Sequence, residues 1–134
     1  MKFDSVSFLK KLVSFKSVSA NPELAGSVRE CGAFLRDFMR QHGFESELVE
    51  TPLHPIVWAK RNCKTTPKAR ILCYGHYDVQ PVEPLCKWNS DPFVAVEKNG
   101  KLCGRGTADN KGPFTALLSG YLNFMDKNPD SALD

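Results

Sequence analysis

Residues 71–74, Ile-Leu-Cys-Tyr, are apolar at consecutive positions between Arg70 and Gly75. A strand with one wet face alternates apolar and polar side chains, so a short continuous run predicts a strand covered on both faces. Such a strand needs helices around it, and the flanking sequence offers them. Asp4 or Ser5 can cap a first helix bearing Val6, Leu9, Leu12 and Val13. Asn21-Pro22 opens a second, with Leu24, Val28, Cys31, Leu35 and Phe38 at helical spacing and Gly43 suited to the left-handed position beyond its end. Pro113 falls in the first turn of a third, whose stripe is Phe114, Leu117, Leu118, Tyr121 and Met125. Residues 44–51 and 55–61 read as further strands, and Asn99-Gly100 is a hairpin turn between residues 94–96 and 102–103. Helices alternating with strands, one of them continuously apolar, predict a layered α/β domain with helices packed on a mixed sheet.

The 134 residues suit one domain, and 42% hydrophobic with 25% charged residues suits a globular one. The net charge of +3 comes from scattered basic residues, which excludes the clustered patch of a nucleic-acid binder. No apolar run approaches a membrane span. Lys10 and Lys11 interrupt the N-terminal apolar stretch, so it does not read as a secretory signal, and a cytoplasmic location is expected. The five cysteines form no C-x-x-C pair. Cys31 and Cys73 sit in apolar patterns and are expected to be buried.

The chemistry concentrates between His76 and Asp109. Alternate residues of an extended segment point the same way, so His76 and Asp78 project together from Gly75-His76-Tyr77-Asp78. A carboxylate on one ring nitrogen fixes the tautomer and raises the basicity of a metal-binding histidine. A strand-end histidine bonded to a carboxylate for purely structural reasons gives the same pattern. Asp109 lies in a loop bracketed by Gly104, Gly106 and Gly112; it can bridge two metal ions, or simply cap the third helix. His42 reads as a helix-end residue and His54 as a loop residue. Gly104-x-Gly106 lacks the third glycine of a dinucleotide fingerprint, and Asn110-Lys111-Gly112-Pro113 is no phosphate loop.

Taken together, GHYDVQP (75–81), Trp88, DPF (91–93) and NGKLCGRGTADNKGP (99–113) resemble the zinc-dependent family of aminoacylases, succinyl-diaminopimelate desuccinylases, glutamate carboxypeptidases and cytosolic dipeptidases. SVSANPE (17–23) and HPIVWA (54–59) look like its dipeptidase branch, which includes carnosine dipeptidases. The resemblance implies the N-terminal part of a three-layer α/β/α catalytic domain over residues 1–134. It implies that His76 ligates one metal, that Asp109 bridges two divalent ions (zinc, or manganese or cobalt), and that Asp78 orients His76. It also implies a cis peptide after Asp109, where Asn110 stands in place of the Asp often found in relatives. The implied activity is hydrolysis of a small peptide, with N-acyl amino acid deacylation the alternative. The implied assembly is a homodimer of the full-length parent.

The family's Glu-Glu pair, one member the general base, and its later Asp or Glu and His ligands have no counterpart here. After Gly112 the acidic residues are Asp126, Asp130 and Asp134. The expectation is therefore an N-terminal piece of a longer enzyme, lacking the lid or dimerisation domain. It would be inactive alone, or one half of a split enzyme completed by a C-terminal chain.

Overall fold

The structure is a computed structural model and describes residues 3–133; Met1, Lys2 and Asp134 lie outside the described part. Helix α1 (Ser5–Ser14) is capped by Asp4, whose carboxylate accepts from the Ser7 N–H at 3.0 Å. Its buried face is Phe8, Leu12 and Val13. Val6 is exposed instead, because Phe8 takes the inward position one turn before Leu12. Asn21 caps a short 3₁₀ turn (Pro22–Leu24) that leads into α2 (Ala25–Gln41). Gly43 follows at φ 82°, the left-handed angle expected there.

Strands β1 (Glu45–Val49) and β2 (Ile56–Lys60) form an antiparallel hairpin in which Glu45 faces Lys60 and Val49 faces Ile56. The hairpin lies on α2. Gly32 of α2 permits the close approach, since a Cβ there would stand 3.0 Å from both Leu48 Cδ1 and the Tyr77 hydroxyl. A second antiparallel hairpin, β3 (Val96–Lys98) and β4 (Lys101–Cys103), turns at Asn99 and Gly100 with φ of 51° and 70°. Both central residues are left-handed, as a tight two-residue hairpin demands. Helix α3 (Lys111–Lys127) packs on α1. One core joins Phe8, Leu12, Cys31, Leu35, Met39 and Leu118. A smaller one joins Val18, Val79, Val82 and Phe93, with Trp88 against it.

The expected central strand is corrected. Residues 70–75 belong to no strand, and Ile71, Leu72 and Tyr74 are exposed, Leu72 at 84% and Tyr74 at 87%. Cys73 is likewise exposed, against expectation. An apolar run becomes a covered strand only where neighbours hydrogen-bond to it. Among the described residues the nearest preceding β contact is a parallel bridge from Ala69, just before the segment, to Leu133. In α3, Leu117 also turns outward while Leu118 and Met125 are buried. No helix among the described residues is long and apolar enough to cross a membrane.

Cys31 is fully buried, and burial pushes its thiol pKa up from 9.0 to about 11. A thiol that holds its proton longer when folded contributes stability below pH 9 that is lost as pH rises through 11. At about 1.4 kcal/mol per unit this is a loss of about 2–3 kcal/mol. Urea unfolding across that range should show the decline, and Cys31→Ala should flatten its slope whatever its effect on stability at neutral pH.

Candidate metal centre

The segment Ser17–Ser19 runs beside Tyr77–Val79. Val18 and Val79 form a parallel bridge, and the Val79 N–H donates to the Ser17 carbonyl at 2.9 Å. The Ser17 hydroxyl donates to the Tyr77 carbonyl at 2.7 Å. Tyr77 points away from the site and donates its hydroxyl to the Pro55 carbonyl, and burial raises its pKa to about 12. The chain on either side of His76 and Asp78 is thereby anchored to α1's exit and to the β1–β2 hairpin.

From the opposite side comes the loop between β4 and α3. Gly106 takes φ 90°, and a Cβ there would meet Val79 Cγ1 at 2.9 Å. Lys111, 1% exposed, passes beneath this loop and donates to the Leu12 and Phe15 carbonyls at 2.8 and 3.1 Å. Burial lowers its ammonium pKa. The Asp109–Asn110 peptide is cis. Asn110 starts α3, and its side-chain oxygen receives the His76 N–H at 3.4 Å.

These supports bring His76, Asp78 and Asp109 together. His76 Nδ1 lies 3.1 Å from Asp78 Oδ1 and 3.1 Å from the Asp78 carbonyl. His76 Nε2 lies 3.0 Å from Asp109 Oδ1. Asp109 therefore faces histidine rather than capping α3. The other histidines sit apart, as expected: His42 Nδ1 bonds the Phe38 carbonyl and its ring stacks on Phe38, while His54 Nε2 bonds the Ser19 carbonyl.

The donor set can be tested against a metal. A neutral imidazole carries one N–H. If Nδ1 donates it to Asp78, the Nε2 lone pair faces a carboxylate oxygen, an arrangement that needs a positive centre between them. An N and an O ligand at about 2.0–2.2 Å on a shared tetrahedral ion stand roughly 3.3 Å apart. The observed 3.0 Å is close to that spacing. The pair fits two adjacent ligand positions of a divalent ion. Among the described residues no cluster of three or more His, Cys, Asp or Glu could complete the shell. Asp109 is 76% exposed, so the ligand atoms open outward.

Sequence reasoning missed Ser19, whose hydroxyl donates to Asp78 Oδ2 at 2.5 Å, and Lys111, which anchors the base of the acidic loop. Both come from long-range packing. Ser19 lay within the SVSANPE segment, but a serine in a loop carries no local sign of such a partner.

Residues 72–133 match the family described as Peptidase family M20/M25/M40. Over that stretch the chain is similar to this family. It is 38% identical over 101 residues to succinyl-diaminopimelate desuccinylase of Nitrosospira multiformis, covering 75% of this chain and 26% of that protein. It is 36% identical over 122 residues to the probable di- and tripeptidase DUG2 of Saccharomyces cerevisiae, covering 82% of this chain and 14% of that one. Human carnosine dipeptidase 1 superposes on 90% of the chain, with a TM-score of 0.78 and 30% identity, over 28% of its own length. An M20 family metallo-carboxypeptidase, Sso-CP2 of Sulfolobus solfataricus, covers 94% of the chain at TM-score 0.78 and 32% identity, again over 28% of its own length. The chain thus spans a third or less of these relatives. The superpositions establish the α/β fold class of the M20 peptidases, although within the described residues the paired strands are two separate hairpins.

Proposed function

We propose that this chain is an M20-family member carrying part of a two-metal hydrolytic site acting on small peptides. The observation that supports it most is the convergence of His76 Nε2 and Asp109 Oδ1 at 3.0 Å, with Asp78 behind the ring. His76 would hold one divalent ion, zinc or else manganese or cobalt, and Asp109 would be shared between two. Such ions supply Lewis acidity toward a scissile carbonyl and lower the pKa of water.

The chain's own residues perform the supporting work. Asp78 accepts the Nδ1 proton and leaves Nε2 free as a ligand. Asp109 offers a second carboxylate oxygen for a second ion. A general base must take a proton from water and return it to the leaving amine. Among the described residues, the carboxylate beside the His76–Asp109 pair is Asp78, which already holds Nδ1 and Ser19. The base and the remaining ligands are thus proposed to come from other residues, in a longer protein or in a complementary C-terminal chain.

A dipeptide substrate is favoured by the dipeptidase names among the relatives. N-acyl amino acid deacylation is the alternative, favoured by the desuccinylases. A cytoplasmic location and a homodimeric full-length parent are part of the same reading.

Zinc-loaded chain should leave dipeptides and N-acyl amino acids uncleaved, and a polypeptide supplying the C-terminal part of a relative's catalytic domain should restore metal-dependent cleavage. Metal-dependent turnover by the 134 residues alone would contradict the proposal that the base lies elsewhere.

A further inference from the structure

Asp78 can orient His76 only if its own carboxylate is held. The torsion that turns a carboxylate about its Cβ–Cγ bond is soft, with broad wells. One hydrogen bond from the histidine ring leaves that rotation largely free. A second donor on the other oxygen would fix the carboxylate plane, and the structure supplies one. The Ser19 hydroxyl donates to Asp78 Oδ2 at 2.5 Å while Asp78 Oδ1 faces His76 Nδ1 at 3.1 Å. A hydrogen bond onto an ionised acceptor is roughly twice as strong as a neutral one.

Ser19 is itself held on several sides. The Val18–Val79 bridge sets the neighbouring backbone in register with the Asp78 segment. Ser17, fully buried, ties to the Tyr77 carbonyl. His54 Nε2 contacts the Ser19 carbonyl at 3.0 Å, which links the loop before β2 to the same turn. Three chain segments distant in sequence therefore meet around Ser19, with Asp78 on its hydroxyl and His54 on its carbonyl.

We infer that Ser19 is a positioning residue for His76: its hydroxyl pins the Asp78 carboxylate, which keeps the proton on Nδ1 and leaves Nε2 as the ligand atom. This inference rests on the metal reading above for its purpose, but the relay itself is a property of the metal-free chain.

The experiment separates the two. In ¹⁵N-labelled, metal-free chain, long-range proton–nitrogen spectra identify which nitrogen of His76 carries the proton, at a pH where the ring is neutral. With Asp109→Ala removing the competing acceptor 3.0 Å from Nε2, the chain should hold it mainly on Nδ1, and the Ser19 variants are compared in that background. Ser19→Ala should move the tautomer ratio several-fold toward Nε2–H, and Ser19→Thr, which keeps the hydroxyl, should restore it. Should Ser19→Ala disturb the loop, Ser19→Cys keeps the side-chain size with only a weak donor and repeats the test. Cobalt titration of the Ser19 variants with Asp109 in place should then give about tenfold weaker binding for Ser19→Ala, within the range seen when the partner of a metal ligand is lost. An unchanged tautomer ratio in Ser19→Ala and Ser19→Cys overturns the relay. A shifted ratio with equal cobalt affinity in the chain and in Ser19→Ala, both with Asp109 in place, upholds the relay and overturns its link to the metal reading instead.

Discussion

Gly112→Ala is expected to destabilise the chain by about 3 kcal/mol, the upper part of the range for overpacking. Gly112 is the second residue of α3, and a Cβ there would stand 1.9 Å from the Thr107 carbonyl oxygen and 2.9 Å from its carbon. The clashing atoms are backbone, so no side chain can swing aside. The loop closes over this point through the Gly112 N–H, which donates to the Gly106 carbonyl at 3.2 Å. Relief would require moving residues 106–109, which include Asp109. Urea unfolding should therefore report lost stability, and cobalt binding should weaken in parallel. Gly120→Ala is the internal comparison. Gly120 lies in the same helix with nothing within 4 Å of its would-be Cβ. That substitution should stabilise by about 0.5–1 kcal/mol from helix propensity and chain entropy. Equal effects at the two positions would contradict the close approach of Thr107.

Lys111→Ala should cost about 3 kcal/mol as well, by a different route. The lysine stem fills the space beneath Gly106, where a Cβ would meet Lys111 Cδ at 3.1 Å, and its ammonium joins the end of α1 to the start of α3. Truncation removes both the packing and the bridge. The Leu12 and Phe15 carbonyls keep backbone partners, accepting from the Phe15 and Ser17 N–H groups, so neither is orphaned. Burying an ammonium is costly in itself. Lys111→Met, which keeps the stem's bulk and removes the charge, should accordingly lose less stability than Lys111→Ala. Equal losses in the two variants on thermal unfolding would make the bridge and not the packing the dominant contribution.

Local rules made much of the architecture legible. Asp4 and Asn21 cap where their side chains allow, Gly43 and Asn99-Gly100 adopt the left-handed angles their residue types permit, and each controls only its near neighbours. The composition of residues 71–74 suits a covered strand, but coverage depends on partners, and Leu72 and Tyr74 lie exposed. Cys73 follows them outward, while Cys31 is buried on a helix face whose partners are present. The choice of Phe8 over Val6 in α1 reflects the direction of α2 and α3, which helical spacing within α1 does not contain. At the candidate site, His76, Asp78 and Asp109 were legible from motif and spacing. Their supports were not: Ser19 lies 59 residues from Asp78, and Lys111 lies 99 from Leu12. Such contacts arise from the fold as a whole.

We propose that His76 and Asp109 together hold a divalent ion. Isothermal or spectroscopic titration of the chain with cobalt, beside His76→Ala and Asp109→Ala, tests it most directly. The chain should take up cobalt saturably, with a loss of at least about tenfold in affinity in each variant, since each removes one of two protein ligands. Folding of both variants, read by far-ultraviolet circular dichroism, should be unchanged, because the two side chains reach outward from the core. Cobalt binding of equal strength in the chain and in both variants would contradict the claim.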